Sequence, residues 1–345
     1  MRNSVRMRKV QLTGGSTYVV SLPKNWAKKV GLKPGDYVSL IPQPDSSLLI
    51  IPKEFKKGEE LSEIFLDVSA TKSPDDIVRE IIACYLVGYD VIRLNLGRKG
   101  TKYRTYIKNV MRQKLIGVET IEETAEHMVI RCLLGWSELP VKDALNRMYI
   151  MALSMHEDAV MALKEGDVTL ANDIVQRDDE VDRLYFFIVR QLKMAVEDRS
   201  IIERIGVSDA RDCLGYRLIA KSIERIADHA SRIAQVIPTI KREEIDEEVI
   251  TLLTKMSQIS VDICRNAMNS LYQLDVNQAN QTIAKSEEIL GLEERIIERI
   301  LQADLSSMTI IGLRLILESI RRTAEYGTDI AEIAINLARK RAITF

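Results

Sequence analysis

Everything after Leu139 is written twice, and that repeat limits the fold more than any other feature of the chain. GDVTLANDIVQRDDEVDRLYFFIV aligns with LDVNQANQTIAKSEEILGLEERII. Asp167-Val168, Ala171-Asn172, Val175 and Leu184 fall on Asp275-Val276, Ala279-Asn280, Ile283 and Leu292. The next segment repeats as well. Gly215, Arg217-Leu218, Ser222-Ile223, Arg225, Ala227 and Ile233-Ala234 match Gly312, Arg314-Leu315, Ser319-Ile320, Arg322, Ala324 and Ile330-Ala331. Apolar and small residues recur there at helical spacing, from Leu218 and Ile219 through Ile223, Ile226, Ala227 and Ala230 to Ile233 and Ala234. A helical segment leads each copy, over 142–164 and 250–273. The spacing predicts two three-helix bundles, at 139–240 and 243–340. An aromatic content of 5% suits cores of Leu, Ile, Val and Ala.

Acids flank the apolar stripe. Glu224 and Asp228 stand four apart, one helical turn, and Asp178 and Asp182 do the same upstream. The break between the two helices falls around 197–208, and the two pairs lie at similar distances from it. Antiparallel neighbours therefore bring all four carboxylates level. Like charges this close raise one another's pKa unless neutralised. A hard cation with oxygen ligands satisfies them: Mg²⁺, Ca²⁺, Mn²⁺ or iron. The alternative is two exposed pairs with Arg177, Arg183, Lys221 and Arg225 as salt-bridge partners. On spacing alone both readings stand. Asp179 faces about 100° from Asp178 and is read as solvent-facing. His229 follows Asp228 within reach of such a metal, whereas His156 is read as a structural histidine.

RDDEVDRLY and SIERIADHASRIAQ resemble the paired acidic motifs of the PhoU family of phosphate-uptake regulators, built from two three-helix bundles. The resemblance spans residues 139–338. It implies that Asp178, Asp182, Glu224 and Asp228 hold a divalent or trivalent metal ion. The second copy departs from the pattern: Ser286 and Leu290 replace the first pair, and Arg321 replaces the first acid of the second. Glu325 remains at its place and is carried over as a fifth candidate ligand, with Arg321 filling the charge hole.

The first 33 residues contain no acid but carry Arg2, Arg6, Arg8, Lys9, Lys24, Lys28, Lys29 and Lys33. The pattern is a strand over 5–13, a Gly14-Gly15 turn, a strand over 17–22 and a short helix from Pro23 to near Gly31. Two further strands follow around Pro44-Asp45. The frame SLPK…GLKPGD resembles the AbrB/SpoVT swapped-hairpin DNA-binding domain, here residues 1–54. That resemblance implies a β-barrel interlocked between two chains, hence a homodimer. It also implies DNA contacts by Arg6, Arg8, Lys9, Lys24 and Lys28. Residues 55–60 read as a linker. Residues 61–136 read as a small α+β connector, ordered β-α-β-α-β-β and carrying no catalytic spacing, with His127 facing solvent.

A net charge of −1 gives no global pull toward nucleic acid, so DNA contact needs the local basic patch. Cys84, Cys132, Cys213 and Cys264 are widely spaced and read as buried, reduced thiols. Neither a signal peptide nor an apolar run of about 18 residues is present, which predicts a cytoplasmic protein without a membrane span. No nucleotide-binding, metalloprotease or nucleophile-elbow motif occurs, and no Glu-x-x-His stands in either copy, so no enzymatic role is expected. Together the readings give a multidomain regulator of phosphate homeostasis that binds DNA through its N-terminal module and a metal through its helices. The rival is an adaptor that docks on a phosphate transporter or its signalling kinase, the barrel serving only to dimerise it.

Overall fold

The structure, a computed structural model, describes residues 7–42, 46–52, 61–70, 73–133, 138–197 and 199–339. Arg6, the Pro44-Asp45 turn, the linker at 55–60 and Trp136 lie outside the described residues. The chain divides into two compact units, residues 1–60 with 342–345, and residues 61–341.

The first unit contains two antiparallel hairpins. In one, β1 (Val10–Thr13) pairs with β2 (Thr17–Val20), Leu12 opposite Tyr18. Gly14 and Gly15 make the turn at φ +62° and +79°, which costs a glycine little. Helix α1 (Lys24–Lys29) starts after Pro23, and Gly31 follows it at φ +69°. In the second hairpin β3 (Val38–Pro42) pairs with β4 (Leu48–Pro52). In a single chain these remain separate two-stranded sheets. Val10, Leu12, Tyr18, Val20, Leu40 and Leu48 are all exposed.

The second unit opens with a layer of sheet and helix: β5 (Glu63–Asp67), α2 (Pro74–Val87), β6 (Val91–Asn95), a short α3 (Gly97–Gly100), α4 (Arg104–Lys114), β7 (Val118–Glu123) and β8 (His127–Cys132). The sheet runs β5-β6-β8-β7, with only β5 and β6 parallel. Ile77, Ile81, Leu94, Ile107, Met111 and Ile130 fill its core.

Helices make up the rest: α5 (Val141–Glu165), α6 (Val168–Glu197), a short α7 (Arg199–Arg204), α8 (Asp212–Val236), α9 (Glu247–Gln273), α10 (Val276–Lys285), α11 (Glu287–Gln302) and α12 (Ser307–Ala338). The repeat is visible in the caps. Asp167 accepts hydrogen bonds from the Thr169 and Leu170 amides at the start of α6, and Asp275 does the same for Asn277 and Gln278 at α10. Helices α5, α6 and α8 form one bundle, while α9 to α12 form the other. The two share a continuous core because α8 packs on α12.

Two details differ from the sequence reading. The second copy breaks its middle helix at Ser286, so it has four segments where three long helices were expected. Leu218 is 57% exposed, whereas its neighbour Ile219 is fully buried. Adjacent residues on a helix point about 100° apart, which puts Leu218 outside the apolar stripe.

The sheet layer and the helices meet through α2 and α4, which pack on α6. Arg190 of α6 is only 2% exposed. Its guanidinium donates to the carbonyls of Tyr85 (2.5 Å), Tyr89 (2.9 Å) and Gly88 (3.2 Å) and to Asp90 Oδ1 (3.2 Å). Those carbonyls include the open C-terminal end of α2, so a helix end and a buried cation satisfy each other. Asp90 pairs its charge.

Close approach of helices sets one test. A Cβ on Gly312 would overlap Ile240 and lie 3.1 Å from Val236 Cγ1, whereas one on Gly291, within α11, would meet nothing within 4 Å. Gly312→Ala is expected to destabilise the chain by about 1–3 kcal/mol through overpacking. Gly291→Ala is expected to stabilise it by about 0.5–1 kcal/mol through helix propensity. Chemical denaturation of both variants checks the opposite signs.

Candidate metal centre

Helices α6 and α8 run side by side, and their acids meet. One oxygen each from Asp182, Glu224 and Asp228 lies within 4.8 Å of the others. Oxygens on opposite sides of one ion at 2.0–2.6 Å sit about 4–5 Å apart, so this spacing suits a single hard cation. The donor set is carboxylate oxygen throughout, which selects Mg²⁺, Ca²⁺, Mn²⁺ or iron over soft metals. Glu224 is buried, 8% exposed, and Asp228 borders solvent.

Asp178 stands one turn before Asp182 and outside that triad. Burial, then the charges of Asp228 and Asp182, raise its carboxyl to about 7. Burial likewise raises Glu224, against the pull of Lys221, and raises Asp228 with help from the charge of Asp182. Asp179 is half-exposed and lies 3.9 Å from the Lys114 ammonium.

Two lysines stand where a cation belongs. Lys221 donates to both oxygens of Glu224, 2.6 Å to Oε1. Lys114, the last residue of α4, donates to Asp182 Oδ2 at 2.9 Å. Burial alone would lower the Lys114 pKa, yet its hydrogen bond to Asp182 and the nearby acids hold it above the ordinary lysine range. Of the four partners considered from sequence, only Lys221 takes that role. Arg177 pairs with Asp158 and Asp173, and Arg183 with Glu180. Arg225 stacks over Tyr326 at 5.7 Å. Lys114 is 68 residues from Asp182 and belongs to a different layer, so helical spacing gave no signal for it.

His229 turns away from the acids. It is buried between α8 and α12, with Nδ1 3.2 Å from Ser319 Oγ. Burial drops its pKa to about 4, and the same holds for His156, which lies between Ser257 (3.0 Å) and Thr323 (3.3 Å). Both are neutral core groups near pH 7.

The second copy is neutralised from within. Glu325 pairs with Arg321 and Arg322, while Glu293 pairs with Arg321 (3.4 Å) and Arg314 (3.2 Å). Arg321 occupies the position of Glu224 and supplies the positive charge directly. A cation at Glu325 would have to displace two guanidinium groups. In the first copy Arg217, the counterpart of Arg314, stacks instead over Tyr185 at 4.8 Å.

In the N-terminal unit Arg8, Lys9, Lys24 and Lys28 are exposed, and Lys24 and Lys28 share one side of α1. Arg6 lies outside the described residues. His127 is exposed, and of the four cysteines expected to be buried, Cys84, Cys213 and Cys264 are, whereas Cys132 is only half-buried. No helix among the described residues is long and apolar enough to cross a membrane.

The PhoU domain matches residues 145–237 and 253–334, half of the chain. Residues 11–58 match "Antidote-toxin recognition MazE, bacterial antitoxin". Among curated proteins the chain is similar to a "Phosphate-specific transport system accessory protein PhoU homolog" of Zymomonas mobilis. Identity is 26% over 176 residues, 50% of this chain and 72% of that protein. A Thermotoga maritima protein, PhoU homolog 1 of the same description, is 22% identical over 203 residues, covering 56% and 84%. Among solved structures, the phosphate transport system regulatory protein PhoU from Streptococcus pneumoniae superposes with a TM-score of 0.50. It is 20% identical and covers 57% of this chain and 92% of its own, a likeness of fold.

The buried charge has a pH signature. Asp178 titrates near 7 in the folded chain and near 4 when unfolded. The unfolded chain loses this proton first, so stability from this group falls as pH rises from about 4 to about 7. Asp178→Asn should raise the melting temperature of chelator-treated protein at pH 7.5 by about 2–4 °C, if about 1 kcal/mol survives solvent screening. At pH 4 it should change little. Calorimetry at the two pH values checks this.

Proposed function

This chain belongs to the PhoU family, and from that premise we propose that it is a regulator of a phosphate-specific transport system whose helical region binds a metal ion. The observation that carries the metal reading is the convergence of Asp182, Glu224 and Asp228 within 4.8 Å. Asp178 completes the cluster electrostatically. A bound cation would supply the positive charge that Lys114 and Lys221 now offer from one side each. The family is one of regulatory accessory proteins, and we assign the chain no catalytic step. A cytoplasmic location is part of the same proposal.

The N-terminal unit gives this regulator its second arm. Its hairpins leave apolar residues open on several strands, including Val10, Leu12, Tyr18, Leu40 and Leu48. Contiguous apolar strands of this kind require a cover, and a second copy of the same hairpins supplies one. The proposal is thus a homodimer through residues 1–54. Arg8, Lys9, Lys24 and Lys28, with Arg6, then act from two chains on DNA phosphates, and transcription of phosphate-uptake genes is what they control.

The adaptor reading also has an observation in its favour. Leu214 and Leu218 on α8, and Ile311 and Leu315 on α12, occupy equivalent places in the repeat and are all exposed. Paired apolar steps at repeat-equivalent positions suit docking on a transporter component or a signalling kinase.

Two measurements test these claims. Elemental analysis of the purified chain should find bound Mg, Mn, Ca or Fe, falling at least about tenfold in Glu224→Ala and Asp228→Ala. Loss of neither would remove the site. Deleting residues 1–60 should convert a dimer to a monomer by light scattering and abolish salt-sensitive DNA retardation. A truncated chain that still captures a transporter component, with the full chain inert toward DNA, would favour the adaptor.

A further inference from the structure

Among the described residues, Lys114 and Arg190 carry the charged contacts by which the sheet layer and helix α6 hold one another. They differ in kind. Arg190 is buried, and four acceptors of the sheet layer surround it. Lys114 is a third exposed on a flexible stem, and its Nζ is bound to Asp182, one of the three converging acids. The two anchor points on α6 lie eight residues, or about 12 Å, apart along the helix. Lys221 makes the matching contact to Glu224, yet it sits on the same helix as its partner, so its release moves nothing.

Resting on the metal-site reading above, we propose that Lys114 is a displaceable counter-ion. It gives up Asp182 when a metal ion binds, so that occupancy of the acidic cluster is read out by α4 and the sheet behind it. The reasoning is electrostatic. A divalent ion among Asp182, Glu224 and Asp228 places two positive charges close to the Lys114 ammonium, which then loses its hydrogen-bonded partner Asp182 and keeps only the longer 3.9 Å pairing with Asp179. Its stem reaches solvent without passing through the core. Helix α4 ends at Lys114, so release removes one tether from its last turn, while Met111 and Leu115 stay buried in the core of the sheet layer. Arg190 keeps α2 pinned throughout. The sheet layer thereby loosens at one charged contact, from Lys114 to Asp182, and retains the other, at Arg190.

The test uses the full chain and Mn²⁺. Calorimetric titration of Lys114→Met, and of Lys114→Gln as a second neutral variant, should show Mn²⁺ bound about three- to tenfold tighter than in the parent, the effect of one competing ion pair. Lys114→Arg should keep the parent affinity within about twofold. Hydrogen exchange over residues 104–118 should quicken severalfold when Mn²⁺ is added to the parent, and be quick already in Lys114→Met without metal. Equal or weaker binding by both neutral variants overturns the proposal while leaving the metal site intact. Unchanged exchange on adding Mn²⁺ does the same. Failure of parent and variants alike to bind Mn²⁺ removes the site and the proposal together.

Discussion

Mutual repulsion among carboxylates is the constraint on which this structure turns. Packing of α6 against α8 forces Asp182, Glu224 and Asp228 together, with Asp178 close behind. The apolar seam stabilises that packing, each buried isoleucine contributing about 1.5–3 kcal/mol. Residues such as Ile219, Ile223, Ile226 and Val181 make the helices meet whatever the acids prefer. The charge that results must be answered by cations, and the chain answers it with one lysine from α8 itself and one from the sheet layer.

The second half of the repeat meets the same demand differently. Arg321 replaces an acid, and Glu293 stands where the first copy has Tyr185. Arg314, Arg321 and Arg322 pair with Glu293 and Glu325, so both acids are answered within the copy and one positive charge is left over. The two copies thus share their Asp caps and an apolar core, while the middle helix breaks at Ser286 in the second and the electrostatics diverge. One copy keeps a surplus of negative charge beside its seam, and the other does not.

Much of this was legible in the sequence because helices write their packing at a fixed period. The strands, the repeat and the meeting of Asp182, Glu224 and Asp228 follow from spacing, whereas Asp178, expected level with them, stands outside that triad. Leu218 was misplaced because a small stretch of a helix cannot show where a stripe ends. The repeat hides the Ser286 break, although Ser286-Glu287-Glu288 is a polar and acidic opening for a new helix. Lys114 and Arg190 were not legible at all. Each is one cation among many, and its meaning comes from a contact 68 or about 100 residues away. The resemblance supplied the family, but nothing in it pointed to the layer that meets the acids.

The buried guanidinium of Arg190 has a consequence for how this protein is put together. Its four acceptors come from a segment that ends before the bundle begins, so the switch from strands to helices near Leu139 lies inside one cooperative folding unit. Separating the two there would take from Arg190 the four acceptors that surround it and from the end of α2 the cation that satisfies its carbonyls. The helical half of this chain cannot be lifted out without losing those bonds. Over evolution the two halves are obliged to travel as a pair.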